Sequence, residues 1–361
     1  MKLNLRALWL VIAAALFAAA CSGAETATET ASEAEGDTAV ESTDNDSGEL
    51  QTIAVTTDIL ADVTENLVGS EFEVIGIMPS GVDPHLFSPS AQDIANIENA
   101  DLLITNGGDF EEGLVDVLED AAQDVPTIEL LDFVEAIEFD EDAEDSHSHS
   151  DEDEDSHDDD EDEDSHSDEE EGDSHDDEEG EDSHGDFDPH FFTDPASVAV
   201  ASEAIVEFVS DNLDPENELD LATTAAPYID ELLALDTEVE ETLSVIPADN
   251  RVLVTNHNVF AYFADRYDFE VLGVVIEGSS TADTASSGSL AELVEEIEAE
   301  GVPAIFGDAA SSDDLLNTVA DEAGVEVGNL FTESLGGGDS NADSYIEAVR
   351  TNADLIAELL A

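Results

Sequence analysis

Short apolar runs alternate with longer amphipathic stretches through the first half of the chain. The apolar runs have the length of β-strands and lie at residues 52–56, 72–78, 102–105 and 127–130. Stretches with helical spacing separate them, at residues 59–67, 91–99 and 113–122. Continuous apolar strands separated by amphipathic helices are typical of a parallel sheet covered on both faces.

The same rhythm returns in the second half. Apolar runs of strand length lie at residues 252–255, 271–275, 303–306 and 325–327. A predicted helix at about residues 195–212 comes before them. The sequence therefore predicts an α/β fold with two parallel-sheet lobes.

A long helix is predicted between the two halves. It starts at Asp214-Pro215-Glu216, continues through apolar positions to about Leu243 and ends before Pro247. About 28 residues at 1.5 Å each give a length of about 42 Å. We interpret this helix as a rigid strut that joins the lobes, with a ligand cleft where the carboxyl ends of the two sheets face each other.

The N-terminus has the pattern of a targeting segment. Residues 1–20 combine a positive start with an apolar run too short to span a bilayer. Small residues precede Cys21, the only cysteine, and resemble a bacterial lipobox. That resemblance implies cleavage before Cys21 and a lipid on its sulfur. The alternative is an ordinary secretory signal in which Cys21 is incidental. Residues 21–49 are too polar to fold and are interpreted as a tether.

The charge balance is extremely acidic, with 96 Asp and Glu against five Lys and Arg. A polyanion needs a basic surface to bind, so nucleic acid is excluded as a partner. Counterions of a saline exterior would screen the self-repulsion, and adaptation to such an exterior is our interpretation. The alternative is a general composition bias of the lineage.

Three histidines stand apart from an acidic tract that holds the other six. His85 and His257 each follow a predicted strand, and His190 lies where the tract returns to the fold. Imidazole is a common ligand of borderline divalent metals, and three leave room for one carboxylate in a tetrahedral shell. Hydrogen-bonded structural histidines remain the alternative, since spacing alone does not prove that the three converge.

Three ordered motifs surround these histidines: Gly81-Val-Asp-Pro-His85, Asp188-Pro-His-Phe-Phe192 and Asn256-His-Asn-Val-Phe260 followed by Tyr262-Phe263. They resemble the metal-binding loops of the substrate-binding lipoproteins of zinc and manganese ABC transporters, over nearly all of residues 50–361. The resemblance implies two α/β lobes joined by one long helix, one metal ion between them and no catalytic residues. Histidine at the third position, His257, favours Zn²⁺ as the transported ion.

The fourth ligand implied by the resemblance is commonly an aspartate near the C-terminus, and Glu333 stands in its place. Glu333 ligates the metal, leaves its place to water, or is a solvated loop acid. Phe192 replaces the family's usual tryptophan. Asp83 and Asp188 precede the two Pro-His pairs, where they either orient the imidazoles or cap the loops.

The acidic tract at residues 140–186 repeats Asp-Ser-His at intervals of nine or ten residues. It is too charged to pack and is predicted to be a disordered loop. Its imidazoles and carboxylates offer weak zinc contacts, which predicts an auxiliary zinc collector or sensor. A purely solubilising loop is the alternative. The six histidines of the tract are His147, His149, His157, His166, His175 and His184.

The predicted organisation is a signal peptide at 1–20, a lipidated tether at 21–49, a first lobe at 50–213, a linking helix at 214–246 and a second lobe at 247–361. The expected protein is an extracytoplasmic monomer, anchored to the membrane through Cys21, that passes Zn²⁺ to an ABC permease with its ATPase subunit. A manganese- or iron-binding member of the family, a zinc hydrolase and a passive acidic adhesin or ion buffer are the alternatives. No H-E-x-x-H or Gly-x-Ser-x-Gly motif supports the hydrolase.

Overall fold

A computed structural model describes residues 50–138, 187–276, 280–281, 285–311, 314–338 and 340–361. The predicted signal peptide, Cys21 and the tether lie outside the described residues, and so does the acidic tract with its six histidines. Their assignments therefore stay predictions.

The first lobe is built on a parallel sheet with the strand order β2-β1-β3-β4. Its strands are β1 (Thr52–Val55), β2 (Glu73–Gly76), β3 (Leu102–Thr105) and β4 (Thr127–Glu129). Its helices are α1 (Asp58–Val68), α2 (Ala91–Glu98), α3 (Val115–Ala121) and α4 (Pro195–Leu213). Side chains cap the N-termini of α1 and α2, since Thr57 accepts from the backbone N–H of Leu60 and Ser90 forms a capping box with Asp93.

The second lobe repeats this plan with the strand order β6-β5-β7-β8, again all parallel. Its strands are β5 (Val252–Thr255), β6 (Glu270–Val274), β7 (Ala304–Asp308) and β8 (Glu326–Leu330). Its helices are α6 (Ala261–Tyr267), α7 (Ser287–Glu300), α8 (Asp314–Ala323) and α9 (Tyr345–Leu360). The prediction of two parallel-sheet α/β lobes is confirmed.

The helix between the lobes is α5 (Leu221–Leu243), with 23 residues and a length of about 35 Å. The predicted start at residue 214 is wrong. Asp214 ends α4, because its backbone N–H donates to Ser210 O, and its carboxylate accepts from the N–H groups of Glu218 and Leu219. Asp220, in the left-handed region with φ 48°, then redirects the chain into α5.

One apolar core runs through both lobes. It contains buried residues of β1, α1, α4, α5, α6 and α9 together. The other face of each sheet has its own smaller core, under α2 and α3 in the first lobe and under α7 and α8 in the second. The inner faces of the lobes therefore share their packing with α5. Among the described helices, none has both the length and the apolar character needed to cross a membrane.

Candidate metal centre

Four loops bring the predicted ligands to the meeting point of the two sheets. His257 lies two residues after the end of β5 and Glu333 three residues after the end of β8. His85 is in the loop between β2 and α2, and His190 is in the segment that leads into α4. Loops at the carboxyl ends of parallel strands are the usual ligand positions of open α/β sheets.

The three imidazoles converge on one carboxylate oxygen. The distance from Glu333 Oε1 to Nε2 is 2.7 Å for His85, 2.9 Å for His257 and 3.4 Å for His190. One ligand atom from each of the four residues lies within 4.8 Å of the others. All four side chains are buried, with residue exposures of 5% or less. The structure thus brings together all four residues proposed as the main site.

The other ring nitrogen of each histidine faces an oxygen acceptor. Nδ1 lies 2.9 Å from Glu112 Oε1 in His85, 2.7 Å from Asp188 Oδ1 in His190 and 3.1 Å from Asn256 Oδ1 in His257. An acceptor at Nδ1 keeps a proton there, so Nε2 is the nitrogen that becomes a ligand when a metal ion replaces its proton. All three rings are therefore oriented as metal-ligating histidines usually are.

The two Asp-Pro-His loops differ in what their aspartates hold. Asp188 Oδ1 accepts from both the backbone N–H and the ring of His190. Asp83 Oδ1 accepts from the backbone N–H of His85, 3.0 Å away, while Glu112 holds the ring. Asp188 thus orients an imidazole and Asp83 orders its loop. Sequence reasoning missed Glu112.

The loop that carries Glu333 is tied to both lobes. Asp308 of β7 accepts from the backbone N–H groups of Thr332 and Glu333, at 3.2 and 3.3 Å. Asp58 of α1 accepts from the Ser334 hydroxyl and the Leu335 N–H, both at 2.9 Å. Glu333 is therefore a fixed, buried acceptor at the junction of the lobes and not a solvated loop acid.

Opposite charges shift the pKa values of the site. Burial disfavours the charged imidazole, but Glu112 and Glu333 outweigh it and raise the pKa of His85 to about 10. Asp188 and Glu333 likewise raise the pKa of His190 against its burial. Burial also opposes the charge of Glu333, yet the three histidines hold its pKa well below the usual range. Cationic charge at this point is therefore strongly favoured.

The same atoms fit a metal ion. Bonds of about 2.0–2.1 Å around a tetrahedral zinc ion place neighbouring ligand atoms roughly 3.3 Å apart, close to the 2.7–3.4 Å between Glu333 Oε1 and the three imidazoles. Six side-chain atoms of the described residues are buried without a hydrogen-bond partner, and two of them, His190 Nε2 and Glu333 Oε2, belong to this site. Buried polar atoms seldom stay unpaired, and a cation bound at this point would supply the missing partner.

Aromatic rings enclose the site on the His190 side. The ring centroids of Phe110 and Phe192 lie 5.6 and 5.8 Å from that of His190, and 5.2 Å from each other. Both phenylalanines are buried. They line the imidazole of His190 with apolar surface.

Residues 53–359 match the family described as zinc-uptake complex component A, periplasmic. The chain belongs to this family. The manganese-binding lipoprotein MntA of Halalkalibacterium halodurans is 24% identical over 350 residues, which cover 96% of this chain and 95% of the relative. The zinc-binding protein TroA of Treponema pallidum is 26% identical over 324 residues, covering 86% of this chain and 88% of the relative.

The solved structure of the periplasmic zinc-binding protein TroA from Treponema pallidum has the same fold. Its TM-score is 0.70 at 24% sequence identity, over 87% of this chain and 100% of that chain. The family comprises substrate-binding components of metal ABC transporters, and the chain is one of them. Its members are solute-binding proteins, which confirms that the chain is not an enzyme and removes the zinc hydrolase from consideration.

Proposed function

We propose that the protein is the extracytoplasmic Zn²⁺-binding component of an ABC importer, which captures the ion outside the membrane and delivers it to the permease. The observation that carries the proposal is the convergence of three imidazole Nε2 atoms on one buried carboxylate oxygen. His85, His190, His257 and Glu333 are the proposed ligands. Three nitrogen ligands and one oxygen ligand form a donor set that zinc accepts in a tetrahedral shell.

The donor set supports zinc over manganese. Affinity for nitrogen-containing sites rises from Mn²⁺ to Zn²⁺, and oxygen-rich octahedral sites are the ones that suit Mn²⁺. The relatives include proteins named for either ion, TroA for zinc and MntA for manganese, so their names do not establish zinc. Transport of Mn²⁺ is therefore the second candidate function, and the carboxylate of Glu333 is the feature that accommodates it.

The test is a competition measurement on protein stripped of metal by a chelator. We expect one tight Zn²⁺ site per chain and Mn²⁺ binding weaker by at least about tenfold. Equal affinity for the two ions would refute the zinc assignment.

Single alanine substitutions at His85, His190, His257 and Glu333 test the ligand set. Each should weaken zinc binding by more than about 100-fold, since loss of an outer partner alone costs about 10- to 100-fold. Circular dichroism of the metal-free variants serves as the folding control. A variant that keeps wild-type zinc affinity would remove its residue from the site.

Delivery to the permease requires that the protein is attached to the membrane. We therefore propose a lipid on Cys21 and a tether at residues 21–49. We also propose that the protein functions as a monomer. The permease and its ATPase subunit are the proposed partners.

The acidic tract is proposed to collect zinc weakly beside the main site. Deleting residues 143–184 should remove weakly bound zinc and leave the tight site, and loss of the tight site would contradict this role.

A further inference from the structure

Two tyrosine hydroxyls hold the loop of His190 on both sides of the histidine. Tyr262 donates to the backbone oxygen of Asp188, and Tyr345 donates to that of Phe192, both at 2.8 Å. The accepting residues stand two positions before and two positions after His190. The backbone oxygens two residues before and two residues after His190 are therefore both held by phenols.

The two tyrosines come from the second lobe, while the loop belongs to the first. Tyr262 lies on α6 and Tyr345 begins α9, whereas the loop leads directly into α4. The first lobe also holds this loop, because Asn106 Nδ2 donates to Pro189 O at 2.9 Å. His190 is thus placed by contacts from both lobes at once.

Tyr262 also connects the His190 loop to residues 137–138, the last described residues before the acidic tract. Its hydroxyl accepts from the backbone N–H of Ile137 at 3.2 Å. Beside it, Asp188 N–H donates to Ile137 O at 2.8 Å, and Glu138 forms an antiparallel bridge with Phe187. The hydroxyl therefore both donates and accepts, at the point where the chain returns towards His190.

Both tyrosines are shielded from water, so their hydroxyls depend on partners within the protein. Tyr262 and Tyr345 are 4% and 2% exposed, and a buried phenol normally keeps a hydrogen-bond partner. Burial raises the pKa of Tyr262 to about 12 and that of Tyr345 well above its usual value. Both groups stay protonated at neutral pH, so both remain donors to the loop.

We propose that Tyr262 and Tyr345 are positioning residues, which set His190 from the second lobe and complete the metal site only while the lobes are docked. Separation of the lobes breaks both O–H···O bonds and frees the loop that carries His190. The ion then loses a correctly placed imidazole as the cleft opens. This inference rests on the proposed metal-binding function and specifies how release is coupled to lobe position.

The chain has four tyrosines, and the other two provide matched controls. The Tyr228 hydroxyl on α5 is buried without a hydrogen-bond partner, and that of Tyr267 donates to Asp236, also on α5. Each of the four is changed to Phe, which keeps the ring and removes the hydroxyl. None of the four substitutions alters a proposed ligand.

The first readout is the rate at which a chelator in excess removes Zn²⁺ from each variant. Loss of one hydrogen bond corresponds to roughly a 2- to 13-fold change, and we expect an acceleration of this size for Tyr262→Phe and for Tyr345→Phe. Tyr228→Phe and Tyr267→Phe should release zinc at the wild-type rate. Equal rates in all four variants would overturn the proposal.

The second readout separates positioning from general destabilisation. With Co²⁺ as a spectroscopic probe, Tyr262→Phe and Tyr345→Phe should change the visible absorption bands, which depend on ligand geometry, and the controls should not. If Tyr345→Phe does not fold, Tyr262→Phe decides alone. Faster zinc release with wild-type cobalt bands would contradict positioning of the ligand. A wild-type protein that binds neither ion would overturn the proposed function as well, whereas wild-type behaviour of both variants overturns only the role of the tyrosines.

Discussion

Asp188 and Asp83 offer a matched pair of substitutions because both stand in Asp-Pro-His motifs. Asp188→Asn removes the charge that Asp188 Oδ1 presents to Nδ1 of His190 at 2.7 Å. Asp83→Asn removes the same charge one motif away, where the carboxylate accepts from the His85 backbone and the Thr281 hydroxyl. The two variants therefore have equal net charge and differ in their contact with an imidazole.

The expected loss of zinc affinity follows from these contacts. Hydrogen bonds to charged groups contribute about 1.5–3 kcal/mol and neutral ones about 1 kcal/mol. Neutralising Asp188 should therefore cost about 0.5–2 kcal/mol at the ring alone. Its second bond, from the His190 N–H at 2.9 Å, weakens too, which brings the expected loss to about 10- to 100-fold. Asp83→Asn should cost less than about threefold, since it alters no ring contact.

The assay is a competition titration of both variants against a chromophoric zinc chelator at the same pH and salt concentration. Circular dichroism of the metal-free forms controls for folding. If the two variants lose equal affinity, long-range charge explains the effect and ring orientation by Asp188 is refuted. An unchanged affinity of Asp188→Asn would refute it as well.

The remaining predictions concern selectivity, protons and salt. His257→Glu should narrow the preference for Zn²⁺ over Mn²⁺, because it exchanges a nitrogen ligand for an oxygen; an unchanged ratio in a competition titration would count against ligation by His257. The pKa of His85 is raised to about 10, so its imidazole is protonated at neutral pH. Zinc must displace that proton, and the affinity of the site for zinc should therefore rise with pH. Calorimetry in two buffers of different ionisation enthalpy should detect the released proton, and no difference between the buffers would contradict this. With 96 acidic and five basic residues, the melting temperature should rise between about 0.1 and 1 M NaCl, where the screening length falls from about 10 to 3 Å, and a flat curve would contradict a screening effect.

The strands could be predicted because each is marked by a run of a few consecutive apolar residues. The residues of β1, β3 and β5 form continuous apolar runs, and most of their side chains are fully buried. The start of α5 was not predictable in this way, because Asp214-Pro215-Glu216 has the composition of a helix N-terminus. In the folded chain the Asp214 carboxylate instead binds the turn after α4. When a capping residue lies between two helices, the neighbouring sequence does not show which helix end it caps.

The ligand histidines were predictable because they stand in unusual motifs, and Glu112 was not. In a chain with 96 acidic residues, the pair Glu111-Glu112 has no distinguishing pattern. Its two members have different roles in the fold. Glu111 is buried and accepts from the Thr56 hydroxyl, while Glu112 reaches Nδ1 of His85. Only the tertiary packing separates these roles.

Ligation of one zinc ion by three histidines and Glu333 is tested by a crystal structure of the zinc-loaded protein with anomalous data at the zinc edge. We expect one fully occupied ion bonded to Nε2 of His85, His190 and His257, at about 2.0–2.1 Å, and to a carboxylate oxygen of Glu333, at about 2.0–2.2 Å. An ion bound elsewhere, or one that leaves any of the three imidazoles more than about 3 Å away, would contradict it.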